Sequence, residues 1–233
     1  MQELRTLVKS RTIVLPGDKV DVSGLKPRNG LYKSGENEYH SEYFGVLQAG
    51  EEFADVVSFT GAYMPRRGDK VVGKIIEMGP SMWVVDINSP YTSLLHMNDT
   101  PWRINSGDLN RYMKAGEYVY AKIMSLNEIK ESWITLKDVG LRKLEGGNVI
   151  TIPPPKVPRI IGKGGAMVNL IKDSTQTRIM VGQNGRIWID GSEENIRIAT
   201  EAIELVKNEA HTSGLTDRVA EFLKTKKGET VGN

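Results

Sequence analysis

The chain has 233 residues, with 31 Lys and Arg against 29 Asp and Glu and a formal net charge of +2. Its 39% hydrophobic content suffices for core formation, and at roughly 100–200 residues per domain it should hold one to three small domains. No apolar run approaches the ~20 residues of a membrane-spanning helix, Met1–Ser10 carries no apolar signal block, and there is no cysteine; a cytoplasmic chain is expected, without disulfides, thiolate zinc sites or cysteine nucleophiles.

Residues 1–61 read as a small all-β domain, with strands at Ile13–Leu15, Val20–Val22, Phe44–Leu47 and Val56–Phe59. Seven basic and nine acidic side chains give this segment a net charge of −2, which favours a protein partner over a nucleic acid. Short Val-, Ile- and Tyr-rich runs continue through residues 62–141. One phrase recurs: Pro16-Gly17-Asp18-Lys19-Val20, Arg67-Gly68-Asp69-Lys70-Val71 and Ala115-Gly116-Glu117-Tyr118-Val119. Its irregular spacing excludes a solenoid and points to one turn chemistry reused in small barrels. Arg67-Gly68-Asp69 is read as such a turn and not as a cell-attachment tripeptide.

Gly146-Gly147 reads as a linker, and the pattern then changes. Residues 147–211 predict β-α-α-β-β-α: a strand at Val149–Ile152, a short helical turn, a helix over Ala166–Ser174, strands at Thr177–Val181 and Arg186–Asp190 around the turn Gly182-Gln183-Asn184-Gly185, and a long helix capped by Ser192. Residues 212–233 predict a final amphipathic helix, about Leu215–Leu223, and a frayed polar tail from Lys224. Charge is unevenly placed. Residues 149–189 hold six cations against Asp173 alone, net +5, and residues 190–210 hold two against six, net −4.

Within the basic stretch lies Ile160-Ile161-Gly162-Lys163-Gly164-Gly165. Glycines let the backbone approach a ligand closely, the following helix aims its positive end at the same place, and Lys163 adds a full charge. That suits a sugar-phosphate backbone. A nucleotide-binding P-loop is excluded, because Gly162-Lys163 is followed by Gly164 and Gly73-Lys74 by Ile75, not by Ser or Thr. In this β-α-α-β-β-α context the motif resembles a type I KH domain. The resemblance implies a groove for about four nucleotides of single-stranded RNA, with Ile161, Gly162, Lys163, Gly164, Gly165, Lys172 and Arg178 as candidate RNA-binding residues.

The runs Val71–Glu77, Met82–Asp86, Leu94-Leu95-His96, Val119–Ile123 and Trp133–Leu136 resemble an S1 domain, a five-stranded barrel of the OB type. That family's RNA face carries two phenylalanines near its second strand, where this chain aligns Ser81 and Val84, so base stacking should be depleted. Contact is expected to be electrostatic, through Lys122, His96, Arg103 and Arg111, with Lys114 nearby. Trp83, Trp102 and Trp133 read as core residues rather than base-stackers.

The order of a small β domain, S1 and one KH domain is similar to that of the S1/KH cap subunits of the RNA exosome, of the archaeal-like ribosomal-RNA-processing protein 4 type. The resemblance implies a multidomain β plus α+β fold. It also implies a noncatalytic RNA-binding cap that guides 3′ ends into a hexameric ring of phosphorolytic ribonuclease subunits, beside other S1-containing cap subunits, with no cofactor, metal or membrane. His40, His96 and His211 form no helical metal pair, and Glu36-Asn37-Glu38 and Glu51-Glu52 read as solvated charges. The alternative is a freestanding S1/KH regulator of translation or transcription.

Overall fold

The structure is a computed structural model. It describes residues 12–231 apart from 23, 29, 37, 51, 60, 106, 128–130 and 210–213; Met1–Ser10, Asn37, Glu51 and His211 lie outside the described residues. The chain divides into two units, Met1–Gly61 and Ala62–Asn233.

The first unit holds β1 (Thr12–Val14), β2 (Lys19–Val20), β3 (Lys26–Pro27), β4 (Leu31–Lys33), β5 (Tyr39–Ser41), β6 (Gly45–Ala49) and β7 (Phe53–Ser58). They form two sheets, ordered β1-β6-β7-β3 and β2-β5-β4. Val14, Val20, Val22, Leu47, Ala54 and Val56 fill the core. Ile13 and Leu15 are 62% and 54% exposed, and Phe44 and Phe59 are 42% and 44% exposed. The two phenylalanines meet edge to face at 5.2 Å. Each expected strand exists with its ends displaced by up to a few residues, since short strands end where pairing ends and not where apolar residues do.

The second unit begins with β8 (Lys70–Met78), β9 (Met82–Asp86), β10 (Ser93–His96), β11 (Tyr118–Leu126) and β12 (Ser132–Thr135). They pair in the circuit β8-β9-β10-β12-β11-β8. The β10–β12 step is parallel and the others are antiparallel, which is the five-stranded closed barrel of the S1/OB type. Val71, Ile75, Trp83, Val85, Leu95, Val119, Ile123 and Ile134 fill its interior. Trp83 donates its indole N–H to the Met113 carbonyl at 3.2 Å. A sixth strand, β13 (Arg142–Leu144), pairs with β11 outside the circuit.

The repeated glycine phrase builds one turn three times. The N–H groups of Asp18, Asp69 and Glu117 donate to the carbonyls of Leu15, Arg66 and Lys114 at 3.1, 3.1 and 3.2 Å. The intervening Gly17, Gly68 and Gly116 have φ of +89°, +93° and +94°, the left-handed conformation that a type II turn requires at its third position. Asp69 is held by the Tyr63 hydroxyl at 2.6 Å, so it is a structural residue of the barrel's entry turn.

After the barrel come β14 (Asn148–Thr151), α1 (Val157–Ile161), α2 (Ala166–Thr175), β15 (Arg178–Val181), β16 (Arg186–Asp190), α3 (Glu193–Asn208) and α4 (Leu215–Val231). The sheet order is β14-β16-β15, all antiparallel. Ile160, Met167, Ile171, Ile179, Ile187, Ile189, Ala199, Ile203 and Val206 form one core with Leu215, Val219 and Leu223 of α4. The final helix is longer than its apolar spacing predicts and continues past Lys224. Polar straight-chain residues propagate a helix once its first turns are packed. Thr225 donates its hydroxyl to the Glu221 carbonyl at 3.1 Å, and Lys226 lies 3.9 Å from Glu201 of α3. Among the described residues no helix is long and apolar enough to cross a membrane.

The barrel and the KH fold are joined through the β15–β16 turn. Asn184 is fully buried. Its side-chain amide donates to the carbonyls of Val72 and Ile87, both at 2.8 Å, and its side-chain oxygen accepts from the Val72 N–H at 3.2 Å. Strand β9 pairs with β8 only from Lys74 onward, and the Asn184 carboxamide fills the open edge at Val72 as another peptide group would. Arg186 donates to the Asp86 carbonyl at 2.6 Å and to its carboxylate at 2.5 Å. Burial alone would raise the Asp86 pKa, but the Arg186 bond to its carboxylate, the Asn88 N–H bond to the same group at 2.8 Å and the Arg186 and Lys74 charges hold it below the ordinary value. Trp188 donates to the Gly146 carbonyl at 2.8 Å and packs with Val72 and Leu144. The glycine pair read as a linker is thereby pinned against the KH sheet.

Candidate nucleic-acid interface

The glycine loop follows from the packing of its flanks. Ile160 is fully buried and Ile161 packs at the edge of the same core, so α1 must stop and reverse at Gly162. Gly162 has φ +73°, and its N–H donates to the Pro158 carbonyl at 2.9 Å. A Cβ there would lie 2.8 Å from the backbone nitrogen of Met167. Gly164 and Gly165 have φ of +60° and +84°. Lys163 and Gly164 are exposed, and Lys163 forms no ion pair among the described residues. A cation thus stands at the loop tip beside the N-terminal end of a ten-residue helix, a combination that favours an anion.

The seven KH candidates do not gather at one point. Ile161, Gly162, Lys163, Gly164 and Gly165 form the loop, whereas Lys172 stands near the other end of α2, about 9 Å along the axis from Ala166 at 1.5 Å per residue. There Lys172 and Arg178 share an open cleft of about 540 Å³ with Asp173, Gln176, Met180 and Arg142. Arg178 donates from Nε to Asp190 at 2.7 Å and pairs with the same carboxylate through a second nitrogen. Arg142 was not singled out by its sequence, where it reads only as one cation after a barrel strand.

On the barrel, alternation along each strand decides which side chains face out. Lys122 lies between Lys70 on β8 and Thr135 on β12, and His96 lies opposite Met82. Since Leu95 pairs with Ile134, the next residue on each strand brings His96 beside Thr135, so His96 and Lys122 belong to one row across the outer face. Lys122 is paired with Asp138 at 2.6 Å. That hydrogen bond and charge hold the exposed Asp138 carboxyl below its ordinary pKa. His96 caps the turn Met97–Asp99, its Nδ1 accepting from the Asn98 N–H at 3.2 Å.

Arg103 and Arg111 lie apart from that row, on the β10–β11 connection, which is anchored by buried Leu109 and Met113. Arg103 is exposed, and Arg111 is 78% exposed at 3.4 Å from Asp108. Trp102 and Tyr112, which flank them in sequence, meet with ring centroids 5.7 Å apart in a tilted arrangement, and the Tyr112 hydroxyl donates to the Arg103 carbonyl at 3.1 Å.

Trp83 is a core residue and Trp102 packs against the same core. Trp133 differs from its expected place. Its neighbours Ser132 and Ile134 point inward, so Trp133 falls on the outer face in a row with Leu94 and Val84. The alternation Ser132-Trp133-Ile134 carries that signal, which the aromatic's size obscured. Two strands from Val84, Trp133 supplies an aromatic surface on that face. Among the described residues no group of three or more His, Asp or Glu could hold a metal ion.

Comparison with known proteins agrees with this geometry. Residues 62–129 match the model of the S1 domain of RRP4, and residues 148–205 match that of the KH domain. The chain is 62% identical over 223 residues to exosome complex component Rrp4 of Thermoplasma volcanium, covering 96% of this chain and 94% of the relative. It is 40% identical over 225 residues to exosome complex component Rrp4 of Thermococcus kodakarensis, covering 94% and 87%. A crystal structure described as an exosome complex RNA-binding protein is 34% identical and superposes with a TM-score of 0.66, covering 73% of this chain and 99% of that one. With an S1-type barrel, a KH fold and identity of this extent along nearly its whole length, the chain belongs to the family of exosome complex component Rrp4.

Proposed function

We propose that this chain is a noncatalytic, RNA-binding cap subunit of an exosome. It recruits single-stranded RNA and guides the 3′ end into a hexameric ring of phosphorolytic ribonuclease subunits, beside other S1-containing cap subunits in the cytoplasm. The observation that carries this reading is the docking of a KH fold, whose Gly162–Gly165 loop exposes Lys163 and Gly164, onto a barrel bearing Lys122, Arg103 and Arg111, in a chain of the Rrp4 family. The groups at these surfaces are cations, backbone turns and apolar side chains, which bind a polyanion without needing to read its sequence. Residues 1–61 supply the ring contact in this reading, through exposed Ile13, Leu15, Phe44 and Phe59, apolar groups that a partner would cover.

Two measurements test it. The purified chain, incubated with a labelled single strand with and without phosphate and Mg²⁺, should retain the RNA and leave its length unchanged; shortening that co-purifies with this polypeptide would overturn the noncatalytic role. Ile13→Glu combined with Phe59→Glu should abolish association with the ribonuclease ring. Association at wild-type affinity would move the docking surface elsewhere.

A further inference from the structure

The cleft beyond the C-terminal end of α2 draws its cations from two modules. Arg142 comes from β13, the strand appended to the barrel, and Lys172 and Arg178 come from the KH fold. Arg178 is engaged by Asp190, but neither Arg142 nor Lys172 has a carboxylate partner among the described residues. Asp173 also lines the cleft. With Asp173 and Asp190 both counted, the three cations exceed the carboxylates by one.

The guanidinium carbons of Arg142 and Arg178 lie 5.8 and 5.9 Å from the centre of the same Trp188 ring. That indole is only 2% exposed and is fixed by its bond to the Gly146 carbonyl. Two like charges are therefore held around one aromatic ring, which restricts both planar forks and lowers the entropy lost when they grip an anion. The partly exposed Met180 adds the side of β15, the outermost strand of its sheet, where a base can lie against apolar surface.

We propose that this cleft is a composite phosphate site for single-stranded RNA, in which Arg142 from the barrel side and Lys172 and Arg178 from the KH side hold a backbone segment across the junction. It rests on the RNA-binding reading above and extends it. A strand held here touches both modules at once, so KH binding depends on the docked barrel. The site is separate from the glycine loop, at the opposite end of α2.

The test uses the full chain and a fluorescein-labelled oligoadenylate of about a dozen nucleotides, with anisotropy titrations at several salt concentrations. Each phosphate contact on a single strand contributes about 0.7 to the slope of log K against log salt. Arg142→Gln with Lys172→Gln should lower that slope by about 1.4, and Arg142→Lys alone should keep it. Circular dichroism and tryptophan fluorescence report whether Trp188 packing survives. If Arg142→Gln disturbs it, Lys172→Gln alone carries the test, with an expected drop of about 0.7. Wild-type affinity and slope in the natively folded variants would overturn the composite site while leaving RNA binding intact. A wild-type chain that binds no RNA would remove both readings. Variants that lose a protein subunit but keep wild-type RNA affinity would make the cleft a protein contact and overturn the proposal.

Discussion

Replacing Asn184 by alanine should uncouple the KH fold from the barrel. The substitution removes three hydrogen bonds at once, to the Val72 N–H, the Val72 carbonyl and the Ile87 carbonyl. A buried unsatisfied N–H costs ~1–3 kcal/mol, and an orphaned carbonyl, with two lone pairs to satisfy, costs nearer ~1 kcal/mol. The sum is about 3–5 kcal/mol, a large part of the stability of a small domain. Asn184→Asp should cost more, because a buried carboxylate would face two carbonyl oxygens with no proton to donate. Hydrogen exchange at the Val72 amide is the direct readout, and its protection should fall by about two to nearly four orders of magnitude at ~1.4 kcal/mol per decade. Urea unfolding followed by tryptophan fluorescence should lose its single transition as the two folds melt separately. If Asn184→Ala unfolds within ~0.5 kcal/mol of wild type and the Val72 amide stays protected, the carboxamide is not what seats this turn in the barrel.

In the glycine loop, Lys163→Ala should flatten the salt dependence of RNA binding by about 0.7 with the fold intact. Gly164→Asp tests phosphate approach better than Gly162→Asp: nothing lies within 4 Å of a Cβ at Gly164, whereas one at Gly162 meets Met167, so Gly162→Asp should disturb the start of α2 as well as binding, seen in circular dichroism. Asp138→Asn frees Lys122 from its ion pair and should raise RNA affinity most at low salt; unchanged affinity would leave Lys122 without an RNA role. The Asp86–Arg186 pair sets an acid limit on the junction. The pKa of Asp86 is depressed in the folded state, so its contribution is complete above the unfolded carboxylate value of about 3.9 and is lost as pH falls through the lower folded value. The stability gap between wild type and Arg186→Gln should therefore be constant above about pH 5 and narrow in acid; a gap independent of pH down to acid unfolding would refute the assignment.

Local chemistry made much of this protein legible from its residues alone. The three glycine-acid phrases each require a left-handed glycine, and each forms the same turn. The Ile160–Gly165 run between two helices, followed by two strands and a capped helix, has few other ways to fold. The alternating runs of residues 70–136 likewise contain the barrel. What they do not contain is any contact between elements far apart in the chain. Asn184 reads as an ordinary hairpin residue until the fold brings it 112 positions back to Val72, and Gly146-Gly147 reads as a linker until Trp188 pins it. Arg142 is one surface cation among many until the fold brings it to one cleft with Lys172 and Arg178. Trp133 shows the intermediate case, because its outward direction is written in the alternation around it but its neighbours Leu94 and Val84 come from other strands. Turn conformation and strand alternation depend on a few adjacent residues and survive in one dimension, whereas a buried polar anchor or a cleft of cations exists only after nonlocal pairing has chosen its partners.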